Sequence, residues 1–77
     1  MTYGQKAVGL TFNPSGNSDV QRVKELYAEI IDLCHLARDQ AKDNGRGGGE
    51  TVRLFSVAIT EAQTAQMWAV KAITYQD

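Results

Sequence analysis

The sequence predicts an all-α fold, a two-helix antiparallel hairpin preceded by an ordered N-terminal arm and assembling as a homo-oligomer. Three observations predict it. Apolar residues recur at spacings of three and four from Val23 to Ala41 and again from Phe55 to Ala72. A glycine-rich string, Asn44-Gly45-Arg46-Gly47-Gly48-Gly49, separates the two runs. A chain of 77 residues has too little interior to bury every apolar face that two such helices carry. The expected segments are an arm over 1–17, a helix over 18–43, a turn over 44–49 and a helix over 50–74, all in one domain.

The arm holds Gly4, Gly9 and Gly16 together with the sole proline, Pro14. The string Phe12-Asn13-Pro14-Ser15-Gly16-Asn17 has turn composition and punctuates a helix. The reading is a loop, with a short strand or turn of helix around Val8 to Phe12. The first long helix then starts at Ser18, a good N-cap, with Gln21 three residues on and Asp19 at the positive end of the helix dipole. Val23, Leu26, Ile30, Leu33 and Ala37 form its apolar stripe, widened by Tyr27, Cys34 and Ala41. Asn44-Gly45 ends it, since Asn and Gly tolerate a left-handed cap. The Gly45 to Gly49 segment reverses the chain; it lacks the preceding strand and Lys-Ser/Thr pair of a phosphate loop.

The second helix carries an alanine row on Phe55, Ala58, Ala62, Ala65, Ala69 and Ala72, expected to form a close seam. A second apolar row, Leu54, Val57, Met67, Val70 and Ile73 with Trp68, cannot share that seam. This helix is therefore apolar on more than one side, which a lone hairpin cannot cover. Symmetric self-association is the simplest cover.

Composition excludes several function classes. One cysteine, Cys34, forms no internal disulfide, and Cys34 with the single His35 cannot make a four-ligand zinc site. Eight Lys+Arg against nine Asp+Glu give a net charge of -1, against a broad grip on duplex nucleic acid or an anionic membrane. No apolar run approaches the roughly 20 residues that span a bilayer. Met1 to Leu10 lacks a secretory pattern, so a cytoplasmic location is expected. Catalysis is not expected either: Cys34 and His35 point about 100° apart on a helix, Cys34 reads as a small buried hydrophobe and His35 as a surface or interface residue. Glu25, Glu29 and Asp32 read as a solvated acidic face. No metal or cofactor is implied.

Non-covalent binding remains. One zone joins the Phe12 to Asn17 loop to the start of the first helix, where backbone N–H groups attract phosphate. Lys24 and Arg22 add cations, Phe12 and Tyr3 add rings for base stacking, and Asn13, Ser15 and Asn17 add polar groups beside Pro14. The same string also reads as a plain turn with Phe12 as a core plug. A second zone lies on the second helix, where Arg53, Thr60, Gln63 or Thr64 and Lys71 would converge around a rotation axis to hold a polyanion. They also read as ordinary solvated positions.

The stretch Arg53 to Ile73 resembles the second helix of the small phage-encoded cyclic-nucleotide sponges, the anti-CBASS and anti-Thoeris hairpin proteins. Arg53, Ala58 with Thr60, Gln63, Met67 and Val70 to Ile73 match that family's pattern without gaps. Val23-Lys24 is similar to its first-helix Ile/Val-Lys pair, and Phe12 to its loop aromatic. The resemblance spans roughly Phe12 to Ile73. It departs at Ile59, where the family often has Arg, and at Leu10-Thr11-Phe12-Asn13, which has neither the family's loop Arg nor a tyrosine hydroxyl.

The resemblance implies a homohexamer that sequesters cyclic dinucleotides between the N-terminal regions of neighbouring protomers, without chemistry, in the cytoplasm of an infected bacterial host. It also implies that cyclic trinucleotides, or cyclic ADP-ribose isomers made by TIR-domain enzymes, are ligands of some members. Phe12 would stack a base, Lys24 would pair with phosphate, and Asn13 and Ser15 would complete the pocket; Arg53, Thr60 and Lys71 are candidates for a second site. Two alternatives stand beside this reading. One is a protein-binding module that grips a host protein through Trp68, Met67 and Val70. The other is a purely structural oligomer subunit.

Overall fold

The computed structural model describes residues 1–46 and 49–77, and every regular element among them is helical. Helix α1 spans Tyr3–Val8, α2 Ser18–Ala41 and α3 Glu50–Thr74, with a wider helical turn over Lys42–Arg46 after α2. Arg38, late in α2, reaches Ser56, early in α3, while Val20 shares a cleft with Val70 and Thr74. The two long helices therefore run antiparallel as a hairpin. Among the described residues no helix is long and apolar enough to cross a membrane.

Helix α1 is the main departure from expectation. The sequence predicts an ordered arm or loop with a short strand or turn of helix around Val8 to Phe12; the helix lies earlier and ends at Val8. Thr2 caps it: its hydroxyl accepts from the Gln5 amide at 3.1 Å, and its own amide donates to Gln5 Oε1 at 2.9 Å. Gly9 closes the other end at φ +63°, with its N–H donating to Lys6 O and that of Leu10 to Gln5 O. A six-residue helix is marginal by itself, so docking on α2 must hold it. Gly4 permits that docking, because a Cβ there would lie 2.1 Å from the Ala28 carbonyl oxygen. The Gly4 amide donates to Asp32 Oδ1 at 2.6 Å. Asp32 thus serves the N-terminus of α1 instead of standing on a purely solvated acidic face.

The cap of α2 also shifts by one residue. Asn17 holds it, Oδ1 accepting from the amides of Asp19 at 2.7 Å and Val20 at 3.2 Å, and Ser18 is the first helical residue. At the far end α2 stops at Ala41, two residues before the expected end. Asn44 leaves helical geometry, and Gly45 turns left-handed at φ +79°, which the missing side chain permits. Of the expected reversing loop, Gly47 and Gly48 lie outside the described residues.

Val8, Ala28, Ile31 and Ile59 form the buried core where the three helices meet, with Ala7, Leu10, Tyr27, Cys34 and Ala62 packed around them. The stripe expected to face inward on α2 is rotated outward: Leu26, Ile30 and Leu33 are exposed, Leu33 to 68%, while Val20, Lys24, Ala28, Ile31 and Ala41 are buried. The docking of Gly4 over Ala28 explains the rotation, since backbone-to-backbone approach needs the small residue on the inside. The alanine row of α3 divides in the same way. Ile59 and Gln66, seven apart, form the inner line; Phe55, Ala62 and Ala69 flank it half-buried, and Ala58, Ala65 and Ala72 face outward. With extents of 48 × 25 × 13 Å the molecule is scarcely thicker than one helix.

Candidate functional site

The loop after α1 is built by its own side chains. Asn13, Pro14, Ser15 and Gly16 form a β-turn with Asn first, Pro second and Gly fourth, closed by the Gly16 amide donating to Asn13 O at 3.1 Å. Asn13 Nδ2 donates to Asn17 O at 3.0 Å. Ser15 Oγ donates to Asn13 Oδ1 at 2.7 Å and accepts from the Asn17 amide at 3.2 Å. Much of the polar capacity of Asn13 and Ser15 thus goes into shaping the loop.

This loop forms one wall of a cleft of about 240 Å³ lined by Phe12, Asn13, Pro14, Ser15, Val20, Lys24, Val70 and Thr74. Phe12 is 71% exposed, which overturns the core-plug reading. Lys24 is only 5% exposed, and its ammonium donates to the backbone carbonyls of Gly9, at 2.9 Å, and Phe12. Its Nζ stands 5.6 Å from the centroid of the Phe12 ring. Among the described residues no carboxylate lies in ion-pair range of Lys24. The cleft therefore holds a buried ammonium, met by carbonyls and by no carboxylate, beside an exposed aromatic face.

The N-terminus of α2 offers less to a phosphate than the sequence reading supposed. Asn17 already occupies the Asp19 and Val20 amides, and Asp19 places a carboxylate in the first turn.

Other candidate residues stand apart from this cleft. Arg22 is exposed and pairs with Glu25 at 3.5 Å. Tyr3 lies parallel to the His35 ring, with centroids 4.1 Å apart. His35 Nδ1 is 3.1 Å from Arg38 Nη2. A guanidinium only donates, so Nδ1 accepts and the ring proton of neutral His35 sits on Nε2. Arg53 pairs with Glu50, Lys71 lies 5.4 Å over the Trp68 ring, and Thr60 is exposed between them. Eighteen residues of helix, about 27 Å at 1.5 Å per residue, separate Arg53 from Lys71 within one chain. Gln63 half-buries and lends its side-chain amide to Ile59 O.

Sequence reasoning missed Val20 and Thr74 and set Val70 in the family-like pattern and on a docking face, not in this cleft. Only the hairpin register brings the end of α3 to the loop, and no motif marks Val20 or Thr74. Among the described residues no group of three or more His, Cys, Asp or Glu is placed to hold a metal ion.

The Acb2/Tad1 hairpin-domain model matches residues 5–74. The chain belongs to the Acb2/Tad1 hairpin family. That match covers all of α2 and α3 and the cleft between loop and hairpin. No curated protein and no solved structure matches the chain.

Proposed function

We propose that this Acb2/Tad1 hairpin protein captures cyclic nucleotide second messengers and holds them uncleaved, blunting immune signalling in the cytoplasm of a phage-infected bacterium. The observation that supports this most is Lys24, a buried cation with no carboxylate partner, beside the exposed ring of Phe12. A phosphodiester meets the charge while a base stacks on the ring, a contact worth about 1–3 kcal/mol. Binding is favoured over catalysis because Cys34 packs against the core and the His35 ring is engaged by Tyr3 and Arg38.

At about 240 Å³ the cleft falls below the roughly 300–1,000 Å³ of ligand pockets that enclose a drug-sized molecule. A cyclic dinucleotide therefore needs further walls from a second copy. The outward apolar faces on α2 and α3 supply the drive to bring copies together, and a homohexamer is the assembly we propose. Around its axes Arg53, Thr60 and Lys71 from different copies would form a second anion site, for a cyclic trinucleotide or a cyclic ADP-ribose isomer. Ile59 beside Thr60 adds no charge there, which favours the cleft as the principal site.

Titration calorimetry with a panel of cyclic dinucleotides, cyclic trinucleotides and cyclic ADP-ribose isomers tests the proposal. Binding of at least one is expected; no heat from any ligand at micromolar protein removes it. A second reading rests on Trp68, 64% exposed beside Met67: that face docks on a host protein. Native mass spectrometry separates the two, since a monomer or dimer without nucleotide favours the docking reading.

A further inference from the structure

We propose that Lys24 is a positioning residue: its ammonium is the strut that fixes the Phe12 ring, leaving one N–H for a ligand phosphate. This rests on the cleft being the ligand site and adds what holds its stacking surface in place. The carbonyls of Gly9 and Phe12 converge on Nζ, and the Phe12 amide donates back to Gly9 O at 2.9 Å. The short turn from Gly9 to Phe12 is thus closed twice, once by its own backbone and once by a side chain from α2.

An ammonium has three donors, and two are engaged by carbonyls. The third is the one a phosphate can take without dismantling the loop. Loss of the amine leaves Gly9 O with its backbone partner but deprives Phe12 O of its side-chain donor. The ring is otherwise largely in solvent, so this anchor sets where it stands. Charge and stacking are consequently one device, and a substitution aimed at the phosphate contact also removes the platform for the base.

The ligand-free protein provides the first test. Lys24→Met keeps an unbranched stem and removes the donors. Amide hydrogen exchange at Phe12 should quicken about tenfold or more while the central turns of α2 and α3 keep their protection. Unchanged exchange at Phe12 overturns the strut. If Lys24→Met does not fold, side-chain NMR of the unaltered protein decides. Correlations across the hydrogen bonds from Lys24 Nζ to the carbonyl carbons of Gly9 and Phe12 are expected, and their absence overturns the proposal.

Calorimetry with cyclic di-adenosine monophosphate on Lys24→Met, Phe12→Ala and the double variant supplies the functional readout. A strut makes the double variant lose, within about threefold, only what the worse single variant loses; independent losses multiply and overturn it. Should the unaltered protein bind no cyclic dinucleotide, the sponge reading falls, while the exchange measurement still decides the strut.

Discussion

The phenol ring of Tyr3 lies on the imidazole of His35 with 2° between their planes. The stack ties α1 to the middle of α2, and His35 in turn meets Arg38, which donates to Ser56 on α3 at 3.0 Å. One chain of contacts therefore joins all three helices outside the apolar core. Tyr3→Ala should cost about 1 kcal/mol of stability, in line with aromatic pairs elsewhere. It should leave nucleotide affinity unchanged, because the ring is committed away from the cleft. Chemical denaturation and calorimetry on the same variant check both halves.

Gly4→Ala should be more damaging than its size suggests. The added methyl would meet the Ala28 carbonyl, which belongs to helix backbone and cannot step aside. We expect a loss of about 1–3 kcal/mol, the range for overpacking, with faster amide exchange across Tyr3 to Val8. A fully stable variant would mean that α1 does not dock as described.

Asn17→Ala removes the acceptor for two amides of α2. About 1 kcal/mol of stability should go with it, measured as a lower denaturation midpoint at unchanged slope. Ser18→Ala, by contrast, should change little, because Ser18 is already inside the helix.

Phe12→Ala separates binding from folding. The side chain is mostly exposed, so thermal unfolding should hold nearly constant while affinity for a bound cyclic nucleotide falls by about 1–3 kcal/mol. Val70→Trp is the complementary change, filling the cleft from α3 and abolishing binding with the hairpin intact by circular dichroism.

The outward faces predict the assembly's weak point. Leu33→Asp or Trp68→Glu places a charge on each in turn. Sedimentation should show the higher species of the unaltered protein reduced to monomer. A folded monomer at dilute concentration before any substitution would remove the shared crevice and the sponge proposal together.

How much of this was legible in the sequence varies by element. The two long helices announced themselves, since a three-four rhythm over about 24 residues has no other stable home. Which side of α2 faced inward did not, because the leucines are more numerous on the outside and the decisive contact is Gly4 against Ala28. Helix α1 reads as loop because the arm holds three glycines, Gly4, Gly9 and Gly16, together with Pro14 and a turn string. The signal that would have found it is Thr2 with Gln5 three residues later and Gly9 behind, a complete set of end markers. In the cleft, Phe12 to Ser15 and Lys24 were picked out by residue type, whereas Val20, Val70 and Thr74 become visible only when the hairpin folds. The engagement of the Lys24 ammonium by carbonyls was beyond pattern reading altogether, since it depends on a turn twelve to fifteen residues upstream.

The cleft draws one wall from Phe12 to Ser15 and another from Val70 and Thr74, nearly the full length of the chain apart. A growing polypeptide has no such hollow until its final helix has left the ribosome and folded back. A single proteolytic nick that lets α3 drift away would empty it again. On the proposed reading, capture belongs only to molecules whose α3 is folded against the loop, and copies without that contact do not compete for a ligand.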